Sequence, residues 1–117
     1  MPVTQKFIAT VLILMLAGCA TTASRQEKYE TSKAILQGSP KVKQRAMDNC
    51  MAKIKTHSLE KRQNMADVAN TTVDKLPGVF CSRVIDGLAD GRVSYNDYNA
   101  VLNGSVTPNM IKVVQGR

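Results

Sequence analysis

Apolar positions along this chain form one dense block and then a series of separated stripes. Phe7 to Ala17 is almost unbroken apolar sequence, interrupted only by Thr10. The pattern then collapses into Ala20-Thr21-Thr22-Ala23-Ser24, which is small and polar. Arg25 to Glu30 follows, charged and tolerant of helix, and only Tyr29 and the pair Ile35-Leu36 offer anything to bury. Residues 20–32 therefore read as a flexible spacer fraying into helix, and the folded domain is expected over residues 33–117.

Within that domain the apolar residues recur at helical spacing. Ser39-Pro40 is a strong helix start, with Ser as N-cap and Pro in the first turn. Lys43, Met47, Cys50, Ile54 and His57 then fall along one stripe, with Val42, Ala46 and Met51 beside it. Ser58 can cap a second helix running to about Lys75 and burying Met65, Ala66, Ala69, Val73 and Leu76. Leu76-Pro77-Gly78 reads as a break. A third helix, from about Val79 to Ala89, places Cys81, Val84, Ile85 and Leu88 together and stops at Asp90-Gly91. Ser94 begins a fourth helix, and Asp97 at its third position makes a variant capping box. Tyr95, Tyr98, Val101 and Leu102 form its apolar side, and Asn103-Gly104 ends it. Thr107-Pro108 can start a last short helix with Met110, Ile111 and Val114, although the adjacent valines also suit a strand. The expected fold is all-α, a small bundle of four to five short helices.

The apolar block at the start adds location. Roughly eleven apolar residues rise about 16 Å as a helix, too short for the ~30 Å hydrocarbon core of a bilayer. A charged start at Lys6, a short apolar core and a small-residue exit describe a secretory signal over residues 1–18. The exit, Leu16-Ala17-Gly18-Cys19, resembles the lipobox of bacterial lipoproteins. That resemblance covers only the leader. It implies diacylglycerol on the Cys19 thiol, cleavage before Cys19 and, in many bacteria, N-acylation. Residues 19–32 then become a lipid-anchored tether. Ala20 follows the anchor where Asp would favour retention in the inner membrane, so the resemblance implies the outer membrane, facing the periplasm. Two or more acyl chains make such an anchor stable.

With Cys19 assigned to lipid, Cys50 and Cys81 remain, and export delivers them to an oxidising compartment. Both lie on inward stripes, so they are expected to form one helix-to-helix disulfide. Their spacing is not that of a redox Cys-x-x-Cys or a zinc ribbon. A domain of this size gains much from such a staple, because its core alone supplies little net stability.

Charge is unevenly spread. Residues 25–62 hold ten basic and four acidic side chains, whereas residues 63–117 hold five of each. Lys41, Lys43, Arg45, Lys53, Lys55, Lys61 and Arg62 lie in or beside the first strong helix. A solvated polar surface accounts for them, and so does a basic face toward anionic lipid or cell-wall polymer. The chain has no Trp and only 4% aromatic residues, which argues against a base-stacking module. Export outside the cytoplasm also argues against nucleic acid as a partner.

Candidate chemistry is thin. Asp86, Asp90, Gly91, Val93 and Asp97 resemble positions one, five, six, eight and twelve of an EF-hand loop. Leu88 stands at the third position, where calcium needs an oxygen, and Asp97 is shorter than the usual terminal Glu. These three acids are therefore weak metal candidates, and no cofactor is expected. The single histidine, His57, sits next to Ser58, and neighbours in sequence do not make a nucleophile-base pair. No enzyme is expected. Two functional classes remain: a lipid-anchored structural or interaction protein of the envelope, binding an envelope protein, anionic lipid or the wall, and a ligand or ion module built on Asp86–Asp97.

Overall fold

The computed structural model describes residues 20–117, with side chains from Ser24 onward. The expected signal sequence and the Cys19 attachment site lie outside the described residues. Among the described residues there are six helices and no strand: α1 Ala20–Gly38, α2 Pro40–Lys55, α3 Leu59–Val68, α4 Leu76–Asp90, α5 Tyr95–Leu102 and α6 Pro108–Val114. None is long and apolar enough to cross a membrane.

Helix α4 is the axis of the domain. It packs against α1, α2, α3 and α6, and α1 also touches α2 and α5. Each side of α4 carries its own small core. Leu76 and Cys81 pack with Ile54, Ala66, Ala69 and Val114. Ile85 and Ala89 pack with Leu36 of α1. The third cluster joins Val93 to Met110 and Val113, with Val84 and Leu88 of α4 beside them. The approach on that side is close: a Cβ on Gly87 would lie 3.0 Å from both Val93 and Val113. Even a methyl there would press on both valine side chains, which would have to give by a few tenths of an ångström.

The Cys50–Cys81 disulfide joins the middle of α2 to α4, with their Cα atoms 5.8 Å apart. It passes through the largest cluster, where Cys81 is fully enclosed and Cys50 half-buried.

Most helix starts follow the sequence signals. The Ser39 hydroxyl accepts from the Val42 amide, Ser58 from Lys61, Ser94 from Asp97 and Thr107 from Met110. The segment after Thr107 is helix, not strand, and Gly91 ends α4 in a left-handed conformation at φ 86°.

Three boundaries differ from expectation. Residues 20–32, expected as a flexible spacer fraying into helix, form most of α1. Tyr29 is 4% exposed, and its hydroxyl donates to the Val93 carbonyl at 2.6 Å. Its ring meets Tyr95 edge-on, with centroids 5.8 Å apart, and Tyr98 at 5.6 Å. Leu36, two turns later on the same face, is also buried, and the neighbouring Gln37 side chain donates to the Ala89 carbonyl at 2.6 Å. Two apolar contacts and polar docking hold this helix, so it has almost no apolar stripe.

The other two corrections are linked. The second helix stops at Val68 rather than near Lys75. Asn70 adopts φ 54°, its amide donates to Asp67, and the Thr71 amide donates to Ala66. This is a Schellman ending with Asn in the left-handed position. Leu76-Pro77-Gly78 then opens α4 instead of interrupting the chain, because Pro in a first turn has no helical amide to lose.

The core clusters and the bridge all lie between Tyr29 and Val114, so the chain from Ala20 onward contains the folding unit. Closing a loop of about 31 residues contributes roughly 3.5–4 kcal/mol in the chain-entropy account. Replacing both cysteines by serine is expected to lower the melting temperature by about 15 °C. Calorimetry of the oxidised and double-serine proteins checks this; equal melting temperatures would remove the staple from the stability of the domain.

Candidate functional site

The EF-hand-like stretch does not form a loop around a common centre. Asp86 and Asp90 are still in α4, one helical turn apart. Lys43 pairs with Asp86, which also accepts from Ser82, while Arg92 pairs with Asp90 at 2.8 Å. The hydrogen bonds and charge of Arg92 hold the Asp90 carboxyl below its ordinary range, against the upward push of partial burial.

Asp97 is turned the other way. It is 3% exposed, and both of its carboxylate oxygens are occupied by protein donors. One accepts from the Thr107 hydroxyl. The other accepts from the Ser94 amide at 2.9 Å, the Ser94 hydroxyl at 2.8 Å and the Asn109 side-chain amide at 2.6 Å. Burial alone would raise its pKa, but these bonds outweigh it and hold the carboxyl at about 2. Asp97 thus pins the start of α5 to the start of α6. Burial, with the charges of Glu30 and Asp97, pushes the Tyr29 phenol up, so it remains the donor that ties α1 to Val93. Among the described residues no group of three or more His, Cys, Asp or Glu side chains is placed to hold a metal.

The seven basic residues do not share one face. Lys43 is drawn to Asp86, and the Arg62 guanidinium donates to the His57 carbonyl at 3.2 Å. Lys41, Arg45 and Lys55 occupy the exposed stripe of α2, with Asp48 among them. Lys53 and Lys61 border a different feature. His57 is beside them, but the Ser58 hydroxyl is engaged as the cap of α3.

That feature is an apolar trough, which the stripe pattern does not reveal. Phe80 and Val84 of α4 form its floor, and Lys61 and Met65 of α3 flank it. Toward α2 it is bordered by Lys53, Ile54 and His57, a depression of about 590 Å³. Toward α6 lies a second depression of about 480 Å³, walled by Val68, Val101, Val106 and Ile111, with Asn64 at its side. The two share Lys61, Met65, Phe80 and Val84 and so meet. Both volumes fall in the range of small-molecule sites.

Part of the wall comes from residues that the helical pattern assigns to the core. Val101 and Leu102 read as the apolar side of the fourth helix, yet they are 47% and 58% exposed. On α6 the buried set is Met110, Val113 and Val114, leaving Ile111 outside. Val68 and Val106 are also exposed, and with Val101 and Ile111 they converge from four segments. A patch assembled this way is one of the standard marks of a binding surface. Its readable trace is an excess of apolar residues over what short helices can bury.

The Asp97 pin has a pH signature. Its folded pKa lies below the ordinary carboxylate value, so its contribution is complete above about pH 4 and is lost as pH falls toward 2. The contribution is about 2 kcal/mol. Thermal melts between pH 2 and 7 are expected to show this loss in the native protein. Asp97→Ala is expected to destabilise by roughly 3 kcal/mol at pH 7, because it strands the donors of Ser94, Thr107 and Asn109. It should also flatten the acid dependence.

No family model, no curated protein and no solved structure matches the chain, so the purpose of the trough has to be argued from its own side chains.

Proposed function

We propose that this chain is a small lipid-anchored protein of the bacterial envelope, held by acylated Cys19 at the periplasmic face of the outer membrane, and that its helical domain is a non-catalytic binding module. The leader and the Leu16-Ala17-Gly18-Cys19 tetrapeptide support the anchor. The observation that carries the binding role is the trough. Apolar side chains from several helices remain outward-facing on a domain with no orphaned buried polar side chain among the described residues. The ion-module alternative loses its ligands, since Asp86, Asp90 and Asp97 each have protein partners. The basic-helix alternative keeps only Lys41, Arg45 and Lys55 on a common exposed stripe.

Anchoring a binding domain by lipid confines it to the surface and raises its effective concentration toward ligands held there. Helix α1 then continues almost from the anchor into the fold, which leaves the domain standing close to the bilayer.

Two measurements test the two halves of this reading. Mass spectrometry of membrane fractions is expected to find a mature chain beginning at acylated Cys19, with Cys19→Ser accumulating as uncleaved precursor. An unmodified chain retaining Met1 in the cytosol would refute the anchor. For the module, an apolar reporter dye is expected to brighten with the chain from Ala20 onward and to lose that response in Val101→Lys/Ile111→Lys. Those positions are 47% and 40% exposed, and unchanged helix content by circular dichroism checks that the charges leave the fold intact.

A further inference from the structure

The trough is electrically lopsided. Lys53, His57 and Lys61 line the α2 half, whereas in the α6 half every lining residue beyond the shared Lys61 and the uncharged Asn64 is apolar, among them Val68, Val101, Val106 and Ile111. No Asp or Glu lines either half. Neither Lys53 nor Lys61 enters an ion pair among the described residues. From this charge pattern we infer that the trough holds a single-chain amphiphile with one anionic headgroup. The hydrocarbon lies along Phe80 and Val84 toward Ile111, and Lys53 and Lys61 take the head. The inference rests on the trough being the binding site proposed above and is independent of the lipid on Cys19.

A hydrocarbon tail needs no hydrogen-bond partner, which suits a far end walled by Val68, Val101, Val106 and Ile111. Cations at one end match a molecule that is charged at one end. An acidic amphipathic helix would instead present carboxylates repeatedly along its length, and beyond the shared Lys61 the α6 half has no cation to receive them. A second copy packed with its trough antiparallel would set Lys53 and Lys61 against an uncharged apolar end, desolvating them with no counter-charge. The head contacts are partly solvated, so they set preference and orientation, while chain burial sets affinity.

The test uses the oxidised chain from Ala20 onward, after a cooperative melt has shown that it is folded. Dodecanoate is titrated below its aggregation concentration by calorimetry and by amide NMR. Dodecyltrimethylammonium serves as the same tail with the opposite head, and octanoate as the same head with a shorter tail. Dodecanoate is expected to bind at least tenfold tighter than either comparator, with shifts centred on residues 80, 84, 101 and 111. Lys53→Glu/Lys61→Glu is expected to invert the head preference. Val101→Lys/Ile111→Lys is expected to weaken dodecanoate more than tenfold while helix content is unchanged. Equal affinity for the two heads, insensitivity to charge reversal, or shifts confined to Lys41, Arg45 and Lys55 would overturn the inference. So would concentration-dependent dimerisation through Val101 and Ile111, which would assign the trough to a second copy. A failed titration with the dye response intact would remove the amphiphile but leave the binding module. Loss of both would remove the two together.

Discussion

The bond between Cys50 and Cys81 sets the geometry from which the rest of the domain is built. It holds α2 against α4 at the level of Met47 and Ile54, and α3 and α6 then pack on that pair. Helix α3 lays Ala66 and Ala69 over the seam. Small residues at both positions let it come close without needing a broad apolar face. Helix α6 settles on the far side, where Gly87 permits contact with Val113. Between α3 and α6 none of the described residues descends onto Phe80 and Val84, and the gap there is the trough. A domain of this size with three small clusters has no large core in reserve, so a covalent link at the first helix pair matters more than it would in a larger protein.

The remaining helices are located by polar groups. Asp97 joins α5 to α6, and Tyr29 and Gln37 fasten α1. Arg83 donates to the carbonyls of Ala69, at 2.6 Å, and Val114, at 2.7 Å, and so ties the ends of α3 and α6 to α4. A guanidinium aimed at helix C-termini satisfies exposed carbonyls and meets the negative end of each dipole. Such contacts are directional. They fix where an element sits, whereas apolar burial mainly fixes that it is inside.

This division explains what could be read in advance. Hydroxyl caps followed by Pro or an acid, as at Ser39-Pro40 and Ser94 with Asp97, act over three residues and were legible. So was the disulfide, since two cysteines on inward stripes needed only a compartment to oxidise them. Asn70 was missed because left-handed Asn looks like any polar helical residue until the bonds from residues 70 and 71 are seen. Pro77 was misread because a proline that starts a helix and one that ends it look alike without the preceding boundary. Helix α1 was hidden because its docking depends on a phenol and an amide finding carbonyls 64 and 52 residues away. The trough was invisible for a related reason. Periodicity says which side chains share a stripe, but not whether a neighbour arrives to cover it.

The half-buried position of Cys50 carries a consequence for the chemistry of the bridge. A thiolate that reduces a disulfide must reach one sulfur along the S–S axis. Cys81 is fully enclosed, while Cys50 lines the α2 end of the trough, next to Lys53 and Ile54. Of the two cysteines, the one that borders solvent is therefore the one at the opening of the proposed binding site. An amphiphile seated there, as inferred above, would cover that side of the bridge and slow its exchange with an external thiol, so occupancy would lengthen the life of the bond without any change of shape.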